Sequence, residues 1–433
     1  MVRLTGQPQL RIYIYPKVPV GFYAYRPAAD NAAVKRIIES VRREGDRALQ
    51  RYTRRFDRVR ISGIRVELSE LKRAARAVDP ALAAALETAR RNIRKFAVRQ
   101  LRAYRDFEFQ IRPGVFTGQK VIPIERVGIY VPAGQYPLVS SLLMCAIPAQ
   151  VAGVKEIAVC SPPSCRGSVH PAILGAADRI GIREIYRIGG AQAIAALAYG
   201  TATVKKVDKI VGPGNRYVAQ AKKEVFGAVG VDFIAGPTEI MIIADESADP
   251  DLIAADLLAQ AEHDREAVAT VVTDSQCLAA RINRAVAKQL AVLPSRNTAA
   301  RAIAAHGAII IVKEISQALH IANRKAPEHL ELQVKNPVRR AARLTNYGSL
   351  FIGDKAAEAL GDYSSGLNHT LPTNFGSRYT GGLGVRDFIK IQTTLRLTRN
   401  GLAWIGPAAE IFARTEGLAG HGRSIARRRE NIQ

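Results

Sequence analysis

The feature that most constrains this chain is a repeated alternation of short β-rich runs with Ala-rich stretches of helical length. The runs GIYVP (128–132), EIAVCSP (156–162), EIYRIGG (184–190) and KIVGPGN (209–215) close in Gly, Pro or Ser and lead into segments such as AQAIAALAYG. A second series follows: EIMIIAD (239–245), a helix over 251–263, AVATVVTD (267–274), a helix to about 293, GAIIIV (307–312) and a helix to about 325. Parallel neighbours cannot be joined by a tight hairpin, so this spacing predicts parallel strands with crossover helices, an α/β doubly wound architecture. Such sheets bind ligands outside the carboxyl ends of their strands, where the Gly-rich turns fall. Residues 30–110 differ, being Arg/Ala-rich with helical apolar spacing, and their arginines read as a solvated face.

The uncharged stretch 127–154 is long enough to span a bilayer, but Pro132, Pro137, Pro148, Gly128 and Gly134 break it into a strand, a turn and a buried helix. Formal charge is +25, from 46 Arg and 17 Lys against 38 acidic residues. The excess is densest in residues 1–100, whereas 231–280 holds 11 acidic residues and the single basic Arg265. The total raises a nucleic-acid-binding protein as one reading, although no binding module accompanies it; the acidic stretch suits a cation or cationic substrate. Cys145, Cys160, Cys165 and Cys277 lack CxxC spacing and read as reduced residues of a cytoplasmic protein, and no export signal is evident.

Of seven histidines, four sit beside acidic or amide side chains, in LLAQAEHD, KAPEHLEL, GDYSSGLNHTLPT and TEGLAGHG. Gln260 and His263, three residues apart on a predicted helix, share a face and can share a divalent cation. Asp362 and His421 are candidates to complete a site that suits Zn²⁺ and admits Mn²⁺ or Co²⁺. In APEHL, Pro327 is expected to start a helix with Glu328 and His329 in its first turn. A carboxylate beside an imidazole is a pair for moving protons and activating water.

From about residue 30 to about 425 the chain resembles the histidinol dehydrogenase family, through VGIYVPAG, RIGGAQAIAALAYGT, KIVGPGN, IAGPTE, DLLAQAEHD, APEHLEL, GDYSSGLNHTLPT and TEGLAGHG in order. The resemblance implies an NAD-dependent, zinc-containing homodimer that oxidises L-histidinol through L-histidinal to L-histidine. Carried across, the zinc ligands fall on Gln260, His263, Asp362 and His421, the catalytic pair on Glu328 and His329, and substrate contacts on Thr238, His369 and Glu416, joined by His329 and the ligands. NAD contacts fall on Tyr130, Gln192 and Asn215, with no GxGxxG fingerprint. His369, Glu416 and His421 are implied to come from the partner subunit, so each site needs a dimer. The implied organisation is an arm (1–26), an α/β domain carrying the metal and catalytic residues (27–129 with 239–373), an NAD-contacting α/β domain (130–238) and a C-terminal extension (374–433), that is, two incomplete Rossmann-like sheets with smaller extensions. Thr238 stands where the family usually has Ser, and Leu367 where it usually has Pro. Both are mild departures that leave a paralogous zinc- and NAD-dependent alcohol dehydrogenase as the nearer alternative, with neither a specific nucleic acid nor a membrane as partner.

Overall fold

The computed structural model describes residues 8–19, 21–25, 31–133, 136–164 and 167–431, so Gly134 and Cys165 lie outside the described residues. Its strands in chain order are β1 (Arg11–Ile14), β2 (Phe107–Arg112), β3 (Val115–Pro123), β4 (Arg126–Tyr130), β5 (Glu156–Cys160), β6 (Glu184–Tyr186), β7 (Lys209–Val211), β8 (Gly230–Val231), β9 (Glu239–Ala244), β10 (Val268–Thr273), β11 (Ala308–Ile311), β12 (His329–Gln333), β13 (Ser349–Ile352) and β14 (Ile389–Leu397).

Two of the three sheets are wholly parallel. One runs β6-β5-β4-β7-β8 and the other β1-β11-β10-β9-β12-β13. From β9 onward the larger sheet repeats the smaller one's order: three strands stepping outward, then a return to the other side of the first. Each sheet thus has a topological switch point, between β4 and β7 and between β9 and β12. The two doubly wound sheets expected from the alternation are therefore present, and β1 extends the larger by pairing with β11.

Helices cover both faces of each sheet, and alternate residues of a strand enter opposite cores. Ile240 and Ile242 of β9 join Ile253, Leu257 and Ile282 on one side, while Met241 and Ile243 meet Leu319 and Ile321 on the other. Helices begin where the sequence supplies a cap. Asp79 precedes Pro80 and accepts from the Leu82 N–H, and Asp249 does the same ahead of Pro250. His170 also acts as a cap, its Nδ1 accepting from the Ala172 N–H at 3.2 Å.

The Arg-rich N-terminal helices pack differently from the expected grouping of 27–129 with 239–373. Val34, Ile37, Ile38 and Val41 of helix Ala32–Glu44 join the core on one face of the five-stranded sheet. Leu86, Ala89, Ile93 and Ala97 of helix Pro80–Leu101 join the core on its other face. Apolar stripes bury themselves on the nearest uncovered face, and that face belongs to the five-stranded sheet, whose first strand already begins at Arg126. Arg36, Arg42 and Arg43 point to solvent, as expected.

The third sheet is antiparallel, β14-β3-β2, and joins two stretches almost 270 residues apart in sequence. Helices Arg399–Thr415 and Ala419–Glu430 follow it. Among the described residues no helix is long and apolar enough to cross a membrane; the uncharged stretch instead forms β4 and the buried helix Val139–Ala152. Cys145 and Cys160 are buried free thiols, and Cys277 is exposed.

Candidate active site between two sheets

The APEHL segment does not start a helix. Helix Ile315–Lys325 ends at Ala326 in the left-handed region (φ 51°), and His329 opens β12, level with Ile240 of β9 and Ser349 of β13. Leu330 and Leu332 are fully buried, and ladder pairing on both sides outweighs the helix-starting tendency of the proline. Thr238 and Glu328 therefore stand just before the amino ends of adjacent strands, facing away from the carboxyl edge where ligands were expected for this sheet.

The Thr238 hydroxyl links two predicted site residues. It donates to Glu328 Oε2 at 2.6 Å and accepts from Gln260 Nε2 at 2.6 Å. The Glu239 backbone N–H gives Glu328 Oε2 a second donor at 2.9 Å. Gln260 is fully buried, and its Oε1 has no hydrogen-bond partner. A buried carbonyl oxygen without a donor is costly, and a metal ion supplies what it lacks. His263 lies just past the helix Pro250–Ala261, in the following turn, exposed. One donor atom each from His263, Glu358 and Asp362 lie within 4.8 Å of one another, close enough for one cation. Two of the four expected ligands thus meet here, and the orphaned oxygen of a third, Gln260, fits the same role. An imidazole, carboxylate and amide oxygen set suits zinc.

Glu358 was not anticipated. It is 1% exposed and its Oε1 lies 3.5 Å from His329 Nε2. Burial, aided by the neighbouring carboxylates of Asp362 and Glu331, pushes its carboxyl far above the usual range. Its one sequence signal is the i,i+4 spacing to Asp362 on helix Glu358–Tyr363.

His329 is buried with neither ring nitrogen hydrogen-bonded. Burial lowers its pKa to about 4, against the opposing pull of Asp362, so the ring is neutral at neutral pH. Burial also holds Glu328 well above the usual carboxylate range, despite donation from Thr238 and Glu239. Opposite shifts on adjacent residues are the arrangement that acid–base chemistry uses. Behind them Glu239, also unanticipated, pairs with Lys325 at 2.6 Å and accepts from the Asn374 N–H at 3.1 Å.

His369, expected from the partner subunit, sits in its own chain's site. Its Nδ1 donates to the Asp362 carbonyl at 2.9 Å, and Ser141 Oγ lies 3.1 Å from Nε2. Only seven residues separate His369 from Asp362, and these two bonds fold the connection back onto the site. Glu416 and His421 are exposed on the C-terminal helical pair, away from this cluster.

Tyr130 ends β4 at the switch point of the five-stranded sheet. Its hydroxyl accepts from the Gly190 N–H at 3.1 Å, and burial raises its pKa to about 12. Gln192 is buried with Oε1 unpartnered, in the first turn of helix Gly190–Tyr199, which has no side-chain cap. Asn215 caps helix Arg216–Val225 through Oδ1. Two helix amino ends thus border one edge, a setting that favours phosphate. A cavity of about 660 Å³, lined by His263, Tyr363 and apolar groups including Leu86, Ile93 and Leu143, adjoins the site.

The family model for histidinol dehydrogenase matches residues 25–429. The chain is 48% identical to the histidinol dehydrogenase of Rhizobium meliloti (strain 1021), over 92% of this chain and 91% of that protein. It is 46% identical to that of Geobacillus kaustophilus, over 92% and 93%. The crystal structure of histidinol dehydrogenase from Elizabethkingia anophelis superposes with a TM-score of 0.92 at 37% identity, covering 99% of both chains. With likeness running the length of the chain and the fold matched throughout, the chain belongs to the histidinol dehydrogenase family, whose members are NAD-dependent oxidoreductases.

Proposed function

We propose that the chain oxidises L-histidinol through L-histidinal to L-histidine, with two NAD⁺ and one zinc per site. The observation that carries this is the neutral, unpartnered His329 imidazole beside the His263 and Asp362 donors, with the orphaned Gln260 oxygen on the same Thr238–Glu328 network. Gln260, His263 and Asp362 would hold zinc with His421 of the partner subunit, while Tyr130, Gln192 and Asn215 border the NAD site. Bound zinc would supply Lewis-acid polarisation and an anchor for the substrate's nitrogens, and NAD⁺ the hydride acceptor.

The chain's own residues do the proton work. His329 is neutral and takes the hydroxyl proton as the alcohol is oxidised. Glu328, held by hydrogen bonds from Thr238 and the Glu239 N–H, takes a proton from the water that adds to the aldehyde. His329 then serves again in the second oxidation. Thr238 and His369 of the same chain, with Glu416 of the partner subunit, would border the substrate.

Two exposed apolar surfaces support a homodimer. Phe107, Phe109, Ile391 and Leu395 share one face of the antiparallel sheet, and Trp404, Ile411 and Phe412 stand out from helix Arg399–Thr415. A monomer seldom leaves so much apolar surface in water. Histidinol-dependent NADH formation that is lost on chelation and restored by Zn²⁺ tests the reading. Turnover indifferent to both, or directed to another alcohol in preference to histidinol, contradicts it and favours the paralogue.

A further inference from the structure

We propose that Asp57 accepts the hydroxyls of the adenosine ribose of the dinucleotide and rejects a ribose carrying a 2′-phosphate, an inference that rests on the NAD reading above. Asp57 follows helix Asp46–Phe56, and Arg58 beyond it is held at φ 58°. The chain then runs antiparallel beside β6, with Arg65 bridging Tyr186, the Val66 N–H bonded to the Ile185 carbonyl and the Arg187 N–H to that of Ile64. Antiparallel travel puts residues 57–61 beyond the carboxyl end of β6, and Ile61 packs into the core that holds Tyr130 and Ala191. The Asp57 carboxylate is near enough to Tyr130 to help raise the phenol's pKa.

Asp57 Oδ2 is buried with no hydrogen-bond partner. Burial alone pushes its pKa up to about 6, with no cation offsetting it. A second buried acceptor nearby also lacks a partner: Gln192 Oε1, which a Cβ on Gly190 would meet at 2.9 Å. Orphaned acceptors at one sheet edge call for a ligand rich in donors. A ribose diol brings hydroxyl protons, whereas a phosphate brings negative charge and no proton to give. Carboxylates take the same part in dinucleotide sheets that carry a Gly-rich fingerprint, bonding the ribose 2′-hydroxyl. Here the carboxylate comes from a helix that precedes the sheet.

Position decides which ribose. The proton-transfer residues lie on the β7–β8 side, where Thr238 follows β8 and the Gly236 N–H bonds Thr373 Oγ1. Nicotinamide must face them. Asp57 lies toward β6, at the opposite end of the strand order β6-β5-β4-β7-β8, so it meets the adenosine half.

The test is NADH and NADPH binding, read by nucleotide fluorescence, for the full chain and for Asp57→Asn. The wild-type chain is expected to bind NADH at least tenfold more tightly than NADPH. Asp57→Asn is expected to weaken NADH about tenfold and leave NADPH unweakened, the loss of one hydrogen bond to a charged group. Its thermal midpoint should not fall, because an unpaired buried carboxylate has gone. Equal NADH affinity in the two proteins, or a wild-type chain that binds both nucleotides alike, overturns the Asp57 assignment while leaving the dinucleotide reading intact. Binding of neither nucleotide by either protein overturns both.

Discussion

At the residue scale the site turns on hydrogen bonds that the sequence implies only by residue type. The Thr238 hydroxyl makes both of its bonds, to Gln260 and Glu328, with the atom that a serine would also supply. Thr238→Ser should therefore keep stability and turnover near wild type. Thr238→Val has nearly the same shape but strips a donor from Glu328 and an acceptor from Gln260, and should cost about 1–3 kcal/mol in urea unfolding along with most of the turnover. His329 adds a pH signature in the metal-free protein. Its folded pKa, about 4, lies below its unfolded value, so the unfolded chain binds a proton first as pH falls. The stability this group provides is present above pH ~6.5 and is lost as pH drops through ~4. Wild type should lose up to about 3 kcal/mol more than His329→Asn between those pH values. Parallel unfolding curves would show that the ring is not held neutral.

At the element scale, most strands of the two parallel sheets were legible as apolar runs ending in turn residues, since strands buried on both faces read as continuous hydrophobic stretches. The antiparallel sheet was not. FEFQIR and TTLRL alternate polar with apolar; β2 pairs with β3 next to it in the chain, but β14 pairs with β3 over a sequence distance that no local pattern reports. The strand at His329 was masked by a proline that can also begin a helix. Asp57, Glu239 and Glu358 stayed hidden because burial, which no motif encodes, is what gives each its character. The histidine motifs, by contrast, marked His263, His329 and His369 directly, because so few histidines compete for attention. Gly212 ties the ends of β4 and β7 together. It sits at φ 112°, and a Cβ there would lie 2.3 Å from the Tyr130 carbonyl oxygen, so no side chain fits without separating the ends of β4 and β7. Gly212→Ala should cost about 1–3 kcal/mol in thermal or urea unfolding and weaken NADH binding. Unchanged stability and affinity would mean that the two strand ends part freely.

At the scale of the whole molecule, the chain sets the carboxyl edge of one parallel sheet near the amino edge of another, with Glu328 and His329, the proposed catalytic pair, on the second. The basic excess is densest on helices that cover the first sheet, while the site itself collects carboxylates, most of them from residues 328–362 and not from the acidic stretch 231–280. Sequence reasoning assigned His369 to a second subunit, whereas hydrogen bonds within the chain hold it at home. His421 and Glu416 remain outside the chain's own cluster, and a shared site makes a specific demand. His421→Ala and His329→Asn homodimers should each be nearly inactive, while mixing them with subunit exchange should restore up to about a quarter of wild-type activity, since half the dimers are mixed and each mixed dimer holds one intact site. No recovery despite proven exchange would place His421 outside the partner's site. A double oxidation at one centre fixes the amount of NADH formed per L-histidinol consumed, and that ratio is the measurement to make. Two NADH with L-histidine as the product is the expected result; one NADH with released aldehyde would contradict it.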